Sequence, residues 1–184
     1  TNQVANALIE SLGLGERRIA YLGHNSIAYF ELLFGVAKAG MTFVPLNWRL
    51  ALPELEGIVS LLEPQIMIYE PVTSALWLGS EASKHPAVRS ISLGAEYQSF
   101  VETGDPIDRE VPICGCDTAI QLYTSGTTGV PKGVELSHGG FSLMRMSEHF
   151  EPALKWTEHD VYLFTMPNFH LAGLSLVVQG LYNG

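Results

Sequence analysis

Short hydrophobic segments alternate along the chain between helical and extended spacing. Residues 3–12 place apolar side chains on one helical face, and Gly13 is expected to end that helix. Further helices are predicted over 26–39, from Pro53 to about Leu62, over roughly 72–84, over about 139–149 and from near Leu171. Strands are predicted over 19–22, 42–44 with Pro45 as the stop, 65–69, 88–93, 118–124, 133–136 and 161–165.

Strands that alternate with helices are typical of an α/β fold with mainly parallel sheets flanked by helices. The stretch 94–116 interrupts the alternation, because it is acidic and rich in glycine and proline. We therefore expect a first α/β subdomain over 1–93, an acidic surface connection over 94–116, and the start of a second α/β subdomain over 117–184.

Composition narrows the class of protein. The 184 residues are 47% hydrophobic and 16% charged, which is typical of a globular chain. The net charge of −9 disfavours binding to nucleic acid or to an anionic membrane, so a polyanion would need a local site. No run of 18 uncharged apolar residues occurs, and we expect no membrane span.

The two cysteines indicate the redox compartment, and the first residues indicate whether the chain begins inside a longer protein. Cys114 and Cys116 are too close for an unstrained disulfide, so we expect free thiols in a reducing, cytoplasmic compartment. Zinc would need two further ligands, and none is near in sequence. The chain starts at Thr1 without a signal-peptide pattern, and we expect it to begin inside a longer protein.

The segment 123–133 is the candidate for chemistry. Four hydroxyl side chains and three glycines lie within 124–133, together with Lys132. Glycine lets backbone amides face a ligand, hydroxyls add donors, and one ammonium adds charge, which together suit a polyphosphate. Pro131 and Gly133 around the lysine disagree with a P-loop. A glycine-rich surface turn remains an equal alternative on composition alone.

The pattern 123–138 resembles the signature of the adenylate-forming enzymes, which include acyl- and aryl-CoA synthetases, firefly luciferase and non-ribosomal peptide adenylation domains. Blocks 31–40, 43–50 and 166–173 resemble other family segments in the same order. The similarity covers nearly the whole chain, but the chain covers well under half of such an enzyme. The resemblance implies an incomplete N-terminal portion of the large domain.

The resemblance also implies a reaction. A carboxylate attacks the α-phosphorus of Mg-ATP to give an acyl adenylate and pyrophosphate, and coenzyme A then takes the acyl group. Lys132 and His170 match catalytic positions, and His170 and Phe169 match the carboxylate pocket. Thr127 or Thr128 is expected to reach Mg²⁺ through ATP. The positions that match the family's phosphate-binding loop are Thr124, Ser125, Gly126, Thr127, Thr128, Gly129 and Lys132.

The same resemblance implies the binding partners of the protein, and one alternative function remains open. The expected partners are a small carboxylic acid, fatty-acyl or aryl, and the missing C-terminal part of the same enzyme. Without that part, which would carry the adenine and ribose contacts, we expect the chain alone to be inactive. The alternative is a standalone non-catalytic module that binds a phosphate, a nucleotide or a partner.

The sequence gives weaker evidence for a functional role of the other histidines. His138 follows Ser137 at a predicted helix start. The histidines at positions 24, 85, 149 and 159 show no metal-ligand spacing, and we expect them at the surface.

Overall fold

One mixed sheet organises the chain. The computed structural model describes residues 1–124, 131–143, 146–151 and 155–182, with only the backbone of Ser147, Glu148 and Tyr182. The sheet has the strand order β4-β3-β1-β2-β5-β6, parallel throughout except for the antiparallel pair β5–β6. Its strands are β1 (Arg18–Leu22), β2 (Thr42–Leu46), β3 (Ile66–Tyr69), β4 (Arg89–Ser92), β5 (Thr118–Thr124) and β6 (Lys132–Ser137). The predicted α/β fold with a mainly parallel sheet is confirmed.

Helices follow most of these strands. They are α1 (Asn2–Leu12), α2 (Ile27–Lys38), α3 (Leu52–Leu62), α4 (Ser74–Leu78), α5 (Ala95–Glu102), α6 (His138–Leu143), α7 (Ser147–Phe150) and α8 (Leu171–Tyr182), with single 3₁₀ turns at Pro71–Thr73 and Ala82–Lys84. Within the described ranges, none of the helices has both the length and the apolar character that crossing a bilayer requires.

Both faces of the sheet are buried. Alternate side chains of β1 point to opposite faces, so that Ile19 and Tyr21 join one core cluster and Ala20 and Leu22 join the other. Helices α1, α2, α5 and α8 cover the first cluster, and α3 and α4 cover the second. This explains why the central strands β1, β2 and β3 read as nearly continuous apolar runs rather than as alternating ones.

Pro45 does not end its strand, contrary to the prediction. β2 pairs with β1 through Leu46, while the recorded pairing of β2 with β5 is at Phe43 and Ile120. Proline removes one donor but keeps an extended backbone, so the strand loses a hydrogen bond without losing its direction.

The helix predicted over 72–84 is also wrong as a single element. It is split into the 3₁₀ turn at Pro71–Thr73, α4 and the 3₁₀ turn at Ala82–Lys84. Ser80 is fully buried, and its hydroxyl and its N–H both donate to the carbonyl of Trp77. A serine that bonds its local backbone in this way competes with helix continuation.

In the C-terminal third, the strand predicted over 161–165 is wrong. Residues 161–165 form no strand, and Val161 and Leu163 are 98% and 81% exposed. A strand needs a neighbour for its backbone groups, and the described part of the chain provides none there. The helix predicted over 139–149 is seen as α6 and α7, with Met144 and Arg145 outside the described residues.

The connection over 94–116 contains a helix that the sequence analysis did not predict. Tyr97 and Phe100 of α5 are buried against the first core cluster. Beyond α5, β5 joins the same sheet as β1–β4. The division into two subdomains remains a prediction.

Candidate functional site

The carboxyl ends of five parallel strands define one edge of the sheet. β1 to β5 run in the same direction, so the segments that follow Leu22, Leu46, Tyr69, Ser92 and Thr124 all leave at this edge. Ligands of open α/β sheets bind at this edge, because loops there can converge without blocking the core. The candidate site is therefore sought among these segments.

The predicted phosphate-binding loop connects β5 to β6 at this edge. Thr124 and Lys132 are directly paired across the two antiparallel strands, and both are exposed. The hairpin thus fixes both ends of the loop and sets a hydroxyl opposite an ammonium. Ser125, Gly126, Thr127, Thr128 and Gly129, with the proposed Mg²⁺ contact, lie outside the described residues. The described pair suits phosphate oxygens, whereas an ammonium group is not a ligand for Mg²⁺.

The hairpin is stabilised next to the loop. Gln121 is buried on β5 and its amide donates to the Tyr123 hydroxyl over 3.3 Å. Its side chain lies over Gly133, where a Cβ would collide with it. Partial burial raises the pKa of Tyr123, so this hydroxyl stays neutral beside the loop.

His170 lies immediately before α8. Its carbonyl accepts the N–H of Leu174 over 3.1 Å, and its own N–H donates to the Pro167 carbonyl over 3.2 Å. The ring is exposed and lies 4.5 Å, centroid to centroid, from the buried ring of Phe169. The sequence-predicted pair is thus adjacent, with His170 outward and Phe169 inward. Their roles toward a carboxylate remain predictions.

Gly173 allows the turn that carries His170. A Cβ on Gly173 would lie 2.5 Å from the Pro167 carbonyl oxygen, closer than real Cβ atoms approach. The first turn of α8 can therefore pack against residues 166–167 only with glycine at this position.

Long-range hydrogen bonds bring the His170 segment to the carboxyl edge. Asn25, which follows β1, bonds the backbone of Met166 and Asn168, and the Tyr29 hydroxyl bonds the Asn168 carbonyl. The end of β5 at Thr124, where the predicted phosphate-binding loop begins, and the His170 segment therefore both lie at this edge of the sheet.

A polar network beneath this edge was not predicted. The Glu70 carboxylate accepts the His24 N–H over 3.0 Å and lies 2.7 Å from the His24 Nδ1. Tyr21 donates its hydroxyl to the His24 carbonyl, and its pKa is raised by burial. The Trp48 ring packs against the His24 ring, with centroids 4.2 Å apart and planes tilted by 41°, and Arg49 lies over Trp48. Glu70 directly follows β3, but Gly23 separates His24 from β1, so no local sequence pattern marked this network.

His138 begins α6, as predicted, and the Ser137 hydroxyl accepts the N–H of Gly140 as a helix cap. The Nε2 atom of His138 is buried and has no hydrogen-bond partner among the described residues. Burial lowers the pKa of this imidazole, and the nearby Asp117 carboxylate partly opposes the shift. His138 is therefore neutral near pH 7.

The two thiols are free, as predicted, and both are exposed. Asp117 adds a carboxylate, so that one ligand atom each from Cys114, Cys116 and Asp117 lies within 4.8 Å of the others. The prediction that no further ligand lies near these thiols in sequence is wrong, because Asp117 directly follows Cys116. Three exposed ligands are one fewer than a structural zinc site uses.

A profile of the protein family described as "AMP-binding enzyme" matches residues 1–184. The chain is 35% identical over 191 residues to a fatty acid–[acyl-carrier-protein] ligase, ScoC, of Streptomyces coeruleorubidus, with all of the chain and 36% of that protein covered. It is 34% identical over 160 residues to a feruloyl-CoA synthase of an Amycolatopsis species, with 87% of the chain and 30% of that protein covered.

A solved structure shares the fold. A fatty acyl CoA synthetase of Mycobacterium tuberculosis superposes with a TM-score of 0.82 at 27% identity, over 100% of the chain and 36% of that protein. The chain thus spans about a third of the length of these relatives.

Proposed function

Because the chain belongs to the AMP-binding enzyme family, we propose that the protein containing it is an ATP-dependent carboxylate–CoA ligase. A carboxylate oxygen attacks the α-phosphorus of ATP and pyrophosphate leaves, which forms an acyl adenylate. The coenzyme A thiol then attacks the acyl carbonyl, gives up its proton and releases AMP. The observation that carries the proposal is the β5–β6 hairpin, which pairs Thr124 with Lys132 at the two ends of the glycine- and hydroxyl-rich loop.

In this proposal the loop holds the β- and γ-phosphates and stabilises the leaving pyrophosphate. Nucleotidyl transfer depends on positioning and charge stabilisation more than on a protein nucleophile. The contribution of Lys132 is a positive charge placed by a strand rather than by a free loop. An ammonium about 4 Å from a phosphate oxygen has a Coulomb energy of about 4 kcal/mol at an effective dielectric constant of 20. The net charge of −9 is spread over the surface and screened beyond about 8 Å.

His170 and Phe169 are proposed to contact the reacting acid. The exposed imidazole of His170 can donate one hydrogen bond to the carboxylate while Phe169 fixes the ring from the buried side. Mg²⁺ is proposed to enter with ATP, near Thr127 or Thr128. When bound, it would neutralise phosphate charge during adenylation.

The proposed substrate is a fatty-acyl or aryl carboxylic acid. The relatives described above are named for a fatty acid and for a feruloyl group, and both names support a largely apolar acid. Coenzyme A is the proposed thiol acceptor. We propose that the 184-residue chain is inactive alone, since it spans about a third of the length of these ligases.

The test uses the full-length protein with ATP, coenzyme A and a panel of fatty and aryl acids. The expected products are AMP, pyrophosphate and an acyl-CoA detected by mass spectrometry, all dependent on the acid. The isolated chain is expected to give none of them. ATP conversion to ADP without any acid, or no acid-dependent product from the panel, would contradict the proposal.

A further inference from the structure

The side chain of Asn25 bonds the backbone on both sides of Pro167. Its Nδ2 donates to the Met166 carbonyl over 2.8 Å, and its Oδ1 accepts the Asn168 N–H over 2.9 Å. These residues lie in no helix or strand, so their backbone groups need partners from elsewhere, and Pro167 has no N–H to contribute. One amide side chain supplies both partners across about 140 residues of sequence.

Tyr29 adds a third bond to the same segment. Its hydroxyl donates to the Asn168 carbonyl over 2.9 Å. The ring is 1% exposed and packs edge-on against Tyr21 and Phe43, at centroid distances of 5.6 and 5.2 Å. A ring fixed in this way places its hydroxyl at a defined point, so the Asn168 carbonyl is held against the core.

Asn25 itself lies between two anchored residues. Its neighbour His24 is bonded to Glu70 through both its N–H and its ring. Its other neighbour, Ser26, caps α2 by accepting the N–H of Tyr29 over 3.2 Å. The backbone that carries the Asn25 side chain is therefore restricted on both sides.

The bonds at 166–168 determine where His170 lies. The His170 N–H donates to the Pro167 carbonyl, and Gly173 packs against that same carbonyl. The Phe169 side chain, between Asn168 and His170, is 6% exposed. Fixing Met166 to Asn168 therefore fixes the start of α8 and the point from which the His170 ring projects.

We propose that Asn25 and Tyr29 are positioning residues for His170 in the adenylation reaction, which rests on the function proposed above. They hold the His170 segment on the β1–α2 connection, at the sheet edge where β5 delivers the phosphate-binding loop. A misplacement of about 1 Å in a site of this kind can lower the rate about 100-fold. The sheet thereby positions the His170 segment relative to the proposed phosphate-binding loop.

The test measures acid-dependent ATP–pyrophosphate exchange and amide hydrogen exchange in the full-length protein and its Asn25→Ala, Tyr29→Phe and His170→Ala variants. Asn25→Ala is expected to lower kcat about 10- to 100-fold with a small change in the KM for ATP. In the His170→Ala background the same substitution is expected to change kcat less than about twofold, because it acts through His170. Asn2→Ala is the matched control, since that exposed amide bonds a backbone carbonyl elsewhere, at Pro106.

Hydrogen exchange provides a readout that does not need activity. Asn25→Ala is expected to speed exchange of the Asn168 and His170 amides about five- to tenfold, and Asn2→Ala to leave them unchanged. Unchanged exchange at these amides, or an equal loss of kcat with and without His170, would overturn the positioning role. If the wild type shows no acid-dependent exchange, the proposed function fails, while the amide measurement still decides whether Asn25 holds the segment.

Discussion

At the scale of single residues, His138 shows how burial changes the protonation of a side chain. Its Nε2 atom has no partner in the described part of the chain, and burial lowers the pKa of the ring below its usual value of about 6.5. The unfolded chain therefore binds this proton more readily than the folded chain. Stability linked to His138 is complete above about pH 6.5 and is lost as the pH falls toward the lowered value.

We predict that acidification from pH 7.5 to 5 weakens the β5–β6 region in the wild type and less so in His138→Gln. Hydrogen exchange of the β5 and β6 amides in the full-length protein at both pH values measures this. His159→Gln is the control, because the His159 side chain is 88% exposed. An identical pH response in wild type and His138→Gln would contradict the assignment.

Gly173 gives a second prediction at this scale. Alanine normally favours a helix over glycine by about 1 kcal/mol. At position 173 the added Cβ would meet the Pro167 carbonyl at 2.5 Å, so we expect Gly173→Ala to destabilise the protein by about 1–3 kcal/mol.

The control for Gly173 lies in the same helix. A Cβ on Gly180 would lie 3.7 Å from the Trp156 ring, an ordinary contact. Gly180→Ala should therefore be neutral or stabilising by up to about 1 kcal/mol. Urea unfolding of the two variants compares them, and equal effects would refute the close approach at Pro167.

At the scale of elements, α1 holds the connection that follows α5. The Asn6 side chain is 1% exposed and donates to the carbonyls of Asp105 and Ile107 over 2.5 and 2.7 Å. Two ion pairs, Lys38–Asp108 and Arg109–Glu10, join the same connection but are roughly 40% exposed, so each contributes little. The buried amide is therefore the main polar attachment.

Asn6→Ala is expected to lower the free energy of unfolding by about 1–3 kcal/mol, since it leaves two carbonyls without their donor. Asn2→Ala, which removes an exposed bond to Pro106, should cost less than about 1 kcal/mol. Thermal unfolding of the two variants distinguishes them. A smaller loss for Asn6→Ala than for Asn2→Ala would contradict the attachment.

The helices and strands also show where sequence patterns are enough to predict secondary structure. Helix α8 and strand β5 were predicted well, because apolar spacing and flanking signals agree there. The sequence patterns failed where contacts between distant residues, or local side-chain bonds, determine the secondary structure. Ser80 interrupts a helix through local bonds that spacing does not reveal, and 161–165 is apolar but has no strand beside it among the described residues. α5 was missed because its acidic, glycine-flanked sequence resembles a loop, although Tyr97 and Phe100 are buried.

At the scale of the whole molecule, the parallel sheet explains why distant motifs meet. Five strand ends share one edge, so the segments after β1 to β5 leave the sheet together whatever their separation in sequence. The sequence marked Thr124, Lys132 and His170 as candidates, because each lies in a recognisable block, and their roles remain predictions. It could not predict Asn25 or Glu70, whose partners lie 141–143 and 46 residues away with no local pattern to mark them.

The central claim is that Lys132 belongs to a site for the phosphates of ATP in an AMP-binding enzyme. The most direct measurement is acid-dependent ATP–pyrophosphate exchange by the full-length protein, compared between Lys132→Ala and Lys155→Ala, a control at another exposed lysine. We predict a loss of about 100-fold or more for Lys132→Ala and a change within about twofold for Lys155→Ala. Wild-type exchange rates in Lys132→Ala would contradict the account.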